Sequence, residues 1–245
     1  MDLRLLASVG GFFALRTGSA GRPDGAVPLS RAYEAHPAPS HPVSHPDPLG
    51  FRVDKVTSRL GAPEVRVGAS VAQLGLAARL WSVGLGAAAL HGRTLDLAPD
   101  RLRWDPDGTS PDDLWLDDVR TLPPDATTLA ASVLDAHLVP LAAALRRRHR
   151  VAEPLLWGNA GSALAGAVRE LHGWARRAGR PDVAARALDL GAALFRRPEL
   201  AGTGSLDLGS GAPRFRRRSC CLFYRCPGGG LCGDCCFERP PGTPG

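Results

Sequence analysis

The sequence predicts an α+β protein that is predominantly α-helical, with a small antiparallel β element and a cysteine-rich C-terminal segment. Three observations predict this class. Alanine is abundant while aromatic residues make up only 6% of the 245 residues, which favours close-packed helices over a β-sandwich. Long apolar stretches are separated by loops rich in the 29 glycines and 22 prolines. All six cysteines lie between Cys220 and Cys236.

Composition and charge set broad limits on function. Apolar residues make up 44% of the chain, which is enough for a hydrophobic core. The basic residues are almost all arginine, since Lys55 is the only lysine, and the net charge is +6. This balance permits an anionic partner but does not require one.

The sequence contains neither a signal peptide nor a transmembrane segment by the usual criteria. Residues 1–18 lack a basic start followed by a long apolar run and a cleavage site. The best apolar stretches, residues 71–90 and 127–145, are interrupted by Arg79 and Asp135, among others, so they are predicted to be buried helices. We expect a cytoplasmic protein, and a reducing cytoplasm argues against disulfides as the purpose of the cysteines.

Residues 1–212 are predicted to form a mainly helical body. Within it, residues 21–50 are a loop rich in proline and glycine that contains His36, His41 and His45. A histidine-rich tract can bind metal, but we favour a solvated linker here. Residues 1–20 are apolar enough to pack on the body.

The central part of the body is predicted to contain one buried helix and the β element. Residues 69–90 are apolar nearly all round, which is typical of a central helix. In residues 94–104 apolar residues recur at every second position on both sides of a turn at Pro99, which predicts a hairpin. Residues 105–118 are an acidic loop leading into a strand. They begin like a calcium-binding loop, but the glycine falls two positions too early and no glutamate closes the loop. We therefore predict a solvated turn.

Three further helical segments are predicted. Residues 126–149 form a helix ending in a basic run, where cations meet the negative end of the helix dipole. The same run lacks the interleaved aromatic residues of a nucleic-acid site, so no nucleic-acid partner is predicted. A second helix follows Asn159 as N-cap, and a third opens at Pro181. Residues 202–213 are predicted to be a flexible connector.

The cysteine segment is compatible with disulfides, a zinc site or an iron–sulfur cluster. Cys232 and Cys235 have the two-residue spacing of half a zinc site. Cys220 and Cys221 are adjacent, and neighbouring side chains of an extended chain point to opposite sides, so they reach a single ion awkwardly. A cluster with two irons accommodates adjacent cysteines better, and the intervening glycines let backbone N–H groups approach the sulfurs.

The run CCLFYRCPGGGLCGDC closely resembles the C-terminal 2Fe-2S motif of the FhuF-type ferric siderophore reductases. The stretches VAQLGLAARLWS (71–82) and LLWGNAGSALAG (155–166) are also similar to members of that family. The resemblance implies a 2Fe-2S cluster as cofactor in a segment spanning residues 213–238. The proline- and glycine-rich residues 239–245 are predicted to be a disordered tail. The cluster ligands that correspond to the motif are Cys220, Cys221, Cys232 and Cys235.

Two cysteines depart from the family pattern. Cys226 stands where an apolar residue is expected, and Cys236 directly follows a predicted ligand. A cluster held by four thiolates needs neither of them. We interpret both as additional thiols without a ligand role.

The resemblance implies an oxidoreductase that passes one electron to iron held by a cytoplasmic ferric siderophore, here predicted to be of the hydroxamate type. Five arginines would offset the negative charge of the cluster: Arg214, Arg216, Arg217, Arg218 and Arg225. Possible docking residues for the siderophore or an electron donor are Arg216, Arg217, Arg218 and Arg225. No glycine pattern for a dinucleotide follows a predicted strand, so the electron is expected from a separate ferredoxin or flavin reductase.

Two alternatives remain open at the level of sequence. One is a zinc-stabilised protein that uses its arginines to bind nucleic acid. The other is an iron–sulfur protein that binds siderophores without turnover.

Overall fold

The computed structural model describes residues 1–34, 46–209 and 211–241. It is about 51% helical, with small sheets of two to four strands, which confirms the predicted α+β, mostly helical class. His36, His41 and His45 lie outside the described residues, so the structure does not test the interpretation of that tract.

The described helices follow one another along most of the chain. They are α1 (Leu3–Ala7), α2 (Pro48–Arg59), α3 (Val65–His91), α4 (Ala126–Leu129), α5 (Val139–His149), α6 (Glu153–Arg177) and α7 (Pro181–Leu194). A π-helical segment, Ala130–Leu138, joins α4 to α5. Helix α2 was not predicted. Its start fits the sequence well, because Asp47 caps it by accepting from the Gly50 backbone N–H at 2.9 Å and Pro48 occupies the first turn.

Helix α3 is the centre of the core, as predicted. Most of its side chains are buried, and α2, α6 and α7 all pack against it. Gly86 lets α1 and the following turn approach closely, because a Cβ there would lie 2.5 Å from Leu6 Cδ1. By composition, α3 and the segment Ala126–His149 could each cross a membrane, but 78% and 61% of their most apolar windows are buried. Such burial is what core helices of a soluble protein show.

The π-helical segment contains the most deeply buried histidine of the described chain. His137 is fully buried, and its Nε2 lies 2.6 Å from the Leu97 carbonyl oxygen. Because a carbonyl only accepts, Nε2 carries the proton, and Nδ1 accepts from the Tyr33 hydroxyl at 2.7 Å. Burial lowers the pKa of His137 to about 4.

Acidification is therefore expected to destabilise the fold through His137. Its folded-state pKa lies below the value of about 6.5 in the unfolded chain, so stability is lost as the pH falls from about 6.5 towards 4. Between pH 7 and pH 5 we expect a loss of about 2 kcal/mol from this group alone. Urea unfolding of the wild-type and His137→Gln proteins at both pH values measures it. An equal pH dependence in the two proteins would contradict the assignment.

Short strands form three small sheets. The described strands are β1 (Arg16–Thr17), β2 (Val27–Pro28), β3 (Thr94–Leu95), β4 (Leu102–Trp104), β5 (Leu114–Leu116), β6 (Thr121–Leu122), β7 (Gly204–Asp207) and β8 (Arg214–Arg217). The largest sheet has the order β1-β5-β4-β2, in which β1 and β5 are parallel and the other pairs antiparallel. β3 pairs with β6, and β7 pairs with β8.

The predicted hairpin over residues 94–104 is wrong. A turn does form, with the Arg101 N–H bonded to the Ala98 carbonyl at 2.9 Å, but the strands on either side belong to different sheets. β4 pairs instead with β5, whose three residues are all buried. That pairing places the apolar side chains of both strands in the core, which the local alternation alone could not indicate.

The acidic loop is not the solvated turn that was predicted. Asp105 and Asp113 are buried, and Asp113 Oδ1 forms an ion pair with Arg79 Nε at 2.8 Å in the core. The intervening acids Asp107 and Asp112 are exposed and pair with Lys55 and Arg16. The loop therefore attaches the largest sheet to α3.

Two local predictions near the C-terminus also need correction. Asn159 is not an N-cap, because α6 begins at Glu153 with Pro154 in its first turn, which leaves Asn159 fully buried inside the helix. Residues 202–213 are not merely a connector. They contain β7, which pairs over its whole length with β8.

Candidate functional site

The β7–β8 hairpin lies on α6 and leads into the cysteine segment. Along β8 exposure alternates, so Phe215 and Arg217 are buried while Arg214 and Arg216 face solvent. Residues Gly158 and Gly161 of α6 allow this packing. A Cβ at Gly158 would lie 2.1 Å from Ser219 Oγ, and one at Gly161 would lie 2.6 Å from Thr203 Oγ1.

The adjacent cysteines differ in burial. Cys221 is buried, and its carbonyl oxygen accepts from Ser70 Oγ of α3 at 2.8 Å. Cys220 is partly exposed, and its Sγ accepts from the Leu222 backbone N–H at 3.2 Å. Leu222 has a φ of 68°, a left-handed conformation that turns the chain sharply after the pair.

The stretch between the cysteine pairs folds back on itself. A 3₁₀ turn at Phe223–Arg225 is followed by Pro227, which lies near Gly61 just beyond α2, since a Cβ at Gly61 would be 3.5 Å from Pro227 Cγ. Gly229 is required here, because a Cβ would lie 2.2 Å from the Phe223 carbonyl oxygen. This compact loop returns the chain to the first pair and brings Cys232 next to Cys221.

Asp234 fixes the second pair of cysteines to α6. It is buried between Cys232 and Cys235, and its carboxylate accepts from Ser162 Oγ at 2.6 Å and from Arg169 Nη1 at 3.2 Å. Its carbonyl oxygen accepts from the Arg217 N–H at 3.0 Å. One residue of the segment thus ties together the helix, strand β8 and the second pair.

The thiols form two groups, although Cys220 of one group also interacts with Cys221 of the other. A hydrogen bond with Cys232 lowers the pKa of Cys221 to about 7, and the same bond raises the pKa of Cys232. On the other side, Cys220 interacts with Cys235 and Cys236, and burial raises the pKa of Cys220 and of Cys236. Burial alone raises the pKa of Cys226, which has no resolved interaction with another thiol.

The free thiols of this segment supply the donors that a 2Fe-2S cluster takes. Within residues 1–34, 46–209 and 211–241, no three ligand side chains are grouped so that they could hold a single metal ion. A 2Fe-2S cluster instead needs two thiolates at each of two irons. The all-thiolate donor set, paired in this way and free of disulfides, fits that cofactor.

The four predicted docking arginines occupy different environments. Arg216 is exposed and pairs with Glu238, while Arg225 pairs with Glu64 and lies over the Tyr224 ring. Arg218 is exposed. Arg217 is buried, which does not fit a docking role.

Arg218 lines a cavity of about 460 Å³. Ser219, Trp157 and Glu199 also line it, so its wall combines an aromatic ring with both signs of charge. Ser219 directly precedes Cys220 in the chain, and its Oγ donates to the Pro154 carbonyl at 2.8 Å. The cavity is therefore lined by the residue that precedes the first cysteine of the segment.

The structure adds functional residues that the sequence interpretation missed. They are the polar groups that hold the segment on α3 and α6: Ser70, Asn159, Ser162, Arg169 and Asp234. Only Asp234 carried a usable signal, since it lies inside the Cys-x-x-Cys spacing. The others lie about 50 to 160 residues away in sequence and are ordinary helix residues.

Comparison with known proteins agrees with this geometry. Residues 76–206 match the family described as "Ferric iron reductase FhuF-like transporter", and residues 217–237 match "FhuF 2Fe-2S C-terminal domain". No curated protein matches the chain. The second match identifies the cofactor as a 2Fe-2S cluster. The first covers more than half of the chain, and we conclude that this protein belongs to the FhuF-like family of ferric iron reductases.

Proposed function

We propose that the protein is a cytoplasmic ferric-siderophore reductase whose 2Fe-2S cluster is held by Cys220, Cys221, Cys232 and Cys235. The observation that supports this most directly is that the segment holding these cysteines is fixed to the helical body, because Asp234, between Cys232 and Cys235, accepts from Ser162 and Arg169 of α6. Family membership supports the action on ferric iron.

When bound, a 2Fe-2S cluster supplies a centre that gains and loses single electrons. The substrate is ferric iron held by the hard oxygen donors of a siderophore. One electron converts Fe(III) to Fe(II), the siderophore remains chemically unchanged, and the softer ferrous ion is released because oxygen donors bind it less tightly. The electron is replaced by a separate reduced ferredoxin or flavin reductase.

The chain's own part is to hold the substrate within electron-transfer distance of the cluster. The cavity lined by Trp157, Arg218 and Ser219 is our proposed docking site, because Ser219 directly precedes the proposed ligand Cys220 in the chain. Trp157 offers an apolar face, and Arg218 offers an exposed cation without an ion pair to any described carboxylate. A hydroxamate siderophore, with its polar oxygens and organic backbone, matches both.

The function is tested with protein purified without oxygen. We expect a reddish-brown protein that contains equal amounts of iron and acid-labile sulfide. After reduction with dithionite and removal of the excess, it should transfer one electron per cluster to a ferric trihydroxamate, with Fe(II) trapped by a ferrous chelator. A colourless protein containing one zinc would refute the proposal. A cluster that reoxidises no faster with the ferric complex than without it would indicate binding without turnover.

Replacing Arg218 by glutamine is expected to raise KM for the ferric trihydroxamate roughly five- to tenfold, with little change in kcat, because a charge-assisted hydrogen bond from the guanidinium to a hydroxamate oxygen is lost. Steady-state reduction with a chelator readout measures both constants. Arg176→Gln is the matched control, since Arg176 is exposed at the far end of α6. Equal KM values for Arg218→Gln and Arg176→Gln would show that the cavity is not the docking site.

A further inference from the structure

Arg217 is a buried cation without an acidic partner. Its residue is only 2% exposed, and it forms no ion pair with any carboxylate in the described part of the chain. Its Nη2 donates to Asn159 Oδ1 at 2.6 Å and to the Leu155 carbonyl at 3.3 Å, both neutral acceptors. Buried arginines are normally paired, because an isolated buried charge is costly.

Two further donors of the same guanidinium are unused. Nε and Nη1 are both buried and have no hydrogen-bond partner among the described residues. Such orphaned donors require an acceptor that protein atoms here do not supply. Because the group is also charged, the missing acceptor is expected to be negative.

The guanidinium is held in one orientation by a network that reaches the cysteines. Asn159 Nδ2 donates to the Ser70 carbonyl at 2.9 Å, and Ser70 Oγ donates to the Cys221 carbonyl. The Arg217 backbone N–H also donates to the carbonyl oxygen of Asp234, which lies between Cys232 and Cys235 in the chain. Arg217 is thus connected to both halves of the cysteine segment.

We propose that Arg217 is the buried counter-ion of the 2Fe-2S cluster and donates from Nε or Nη1 to its sulfur atoms, which raises the reduction potential. Four thiolates and two sulfides outweigh the charge of two ferric ions, so the cluster is anionic and becomes more so on reduction. A fixed cation in a buried site favours the more negative, reduced state. This inference rests on the ligand set proposed above.

The test is a midpoint titration followed by absorption and electron spin resonance, with no siderophore present. At the potential where the wild-type cluster is half reduced, Arg217→Gln is expected to lower the ratio of reduced to oxidised cluster at least tenfold, a shift of about 59 mV for one electron. Arg216→Gln is the matched control, because Arg216 is the adjacent arginine but faces solvent. Its ratio should change less than threefold, and Arg217→Lys should lie closer to wild type than to Arg217→Gln.

Comparing the protein with and without the cluster distinguishes a purely structural role of Arg217 from its proposed role as counter-ion. If Arg217 is a counter-ion, Arg217→Gln lowers the resistance to urea of the cluster-loaded protein but not of the cluster-free protein. An equal loss in both forms, or a ratio within threefold of wild type in the titration, would overturn the proposal.

Neither the midpoint titration nor the urea unfolding measures turnover. Both therefore remain valid tests of the Arg217 proposal if the protein is not a reductase. Cluster content of the four cysteine variants tests the ligand set separately.

Discussion

Replacing Cys232 by serine is expected to abolish both the 2Fe-2S cluster and ferric reduction. Cys232 is a proposed ligand and the hydrogen-bond partner of Cys221, so its loss breaks one of the two thiol groups. A serine hydroxyl remains protonated at neutral pH and is a poor ligand for iron in a cluster. We expect the visible absorption of the cluster to be lost and siderophore reduction to fall roughly 100-fold or more, as measured on protein prepared without oxygen.

The two additional cysteines provide matched controls for this substitution. Cys226 is buried but has no resolved interaction with another thiol, so Cys226→Ser should keep the cluster. Cys236 lies close to Cys220 and Cys235, so comparing Cys235→Ser with Cys236→Ser decides which thiol completes the second group. A cluster retained in Cys235→Ser and lost in Cys236→Ser would replace Cys235 by Cys236 in the ligand set.

Replacing Asp113 by alanine is expected to destabilise the fold by about 3–5 kcal/mol. Asp113 pairs with Arg79, which is 1% exposed on the central helix and also donates to the carbonyls of Gly11 and Phe12. Removing the carboxylate leaves a buried guanidinium without its counter-charge, which costs far more than the ion pair itself contributes. The midpoint of urea unfolding, with an unchanged m-value, measures the effect.

Asp112→Ala is the internal control for this prediction. Asp112 is the preceding acid in the same loop, but both it and its partner Arg16 are more than half exposed. Exposed pairs contribute about 0–1 kcal/mol. Comparable losses for the two variants would show that the loop's conformation, rather than the buried charge, determines stability. The double variant Arg79→Met with Asp113→Leu should recover most of the lost stability, because it removes both charges together.

Local patterns predicted the elements whose stability is largely local. The apolar stretch that became α3, the helix over residues 126–149 and the start of α7 at Pro181 all follow from side-chain periodicity and proline position. Strand pairing was missed, because β3 and β4 are too short to specify a partner. The partners of β3 and β4 are selected by the pairing that buries the larger apolar surface.

The sequence by itself determined the helical class of the fold, and its likeness to the family models determined the family and the 2Fe-2S cofactor, because the doubled cysteines and Cys-x-x-Cys form a motif that is recognised without reference to the rest of the chain. Only the tertiary structure decided what surrounds those sulfurs. It separated Arg217 from its neighbours Arg216 and Arg218 by burying it against Asn159, and it placed Ser70 and Asp234 at the two halves of the segment. The physical reason is that burial and hydrogen-bond partners arise between residues far apart in sequence. A run of similar arginines therefore acquires different roles only when the chain packs.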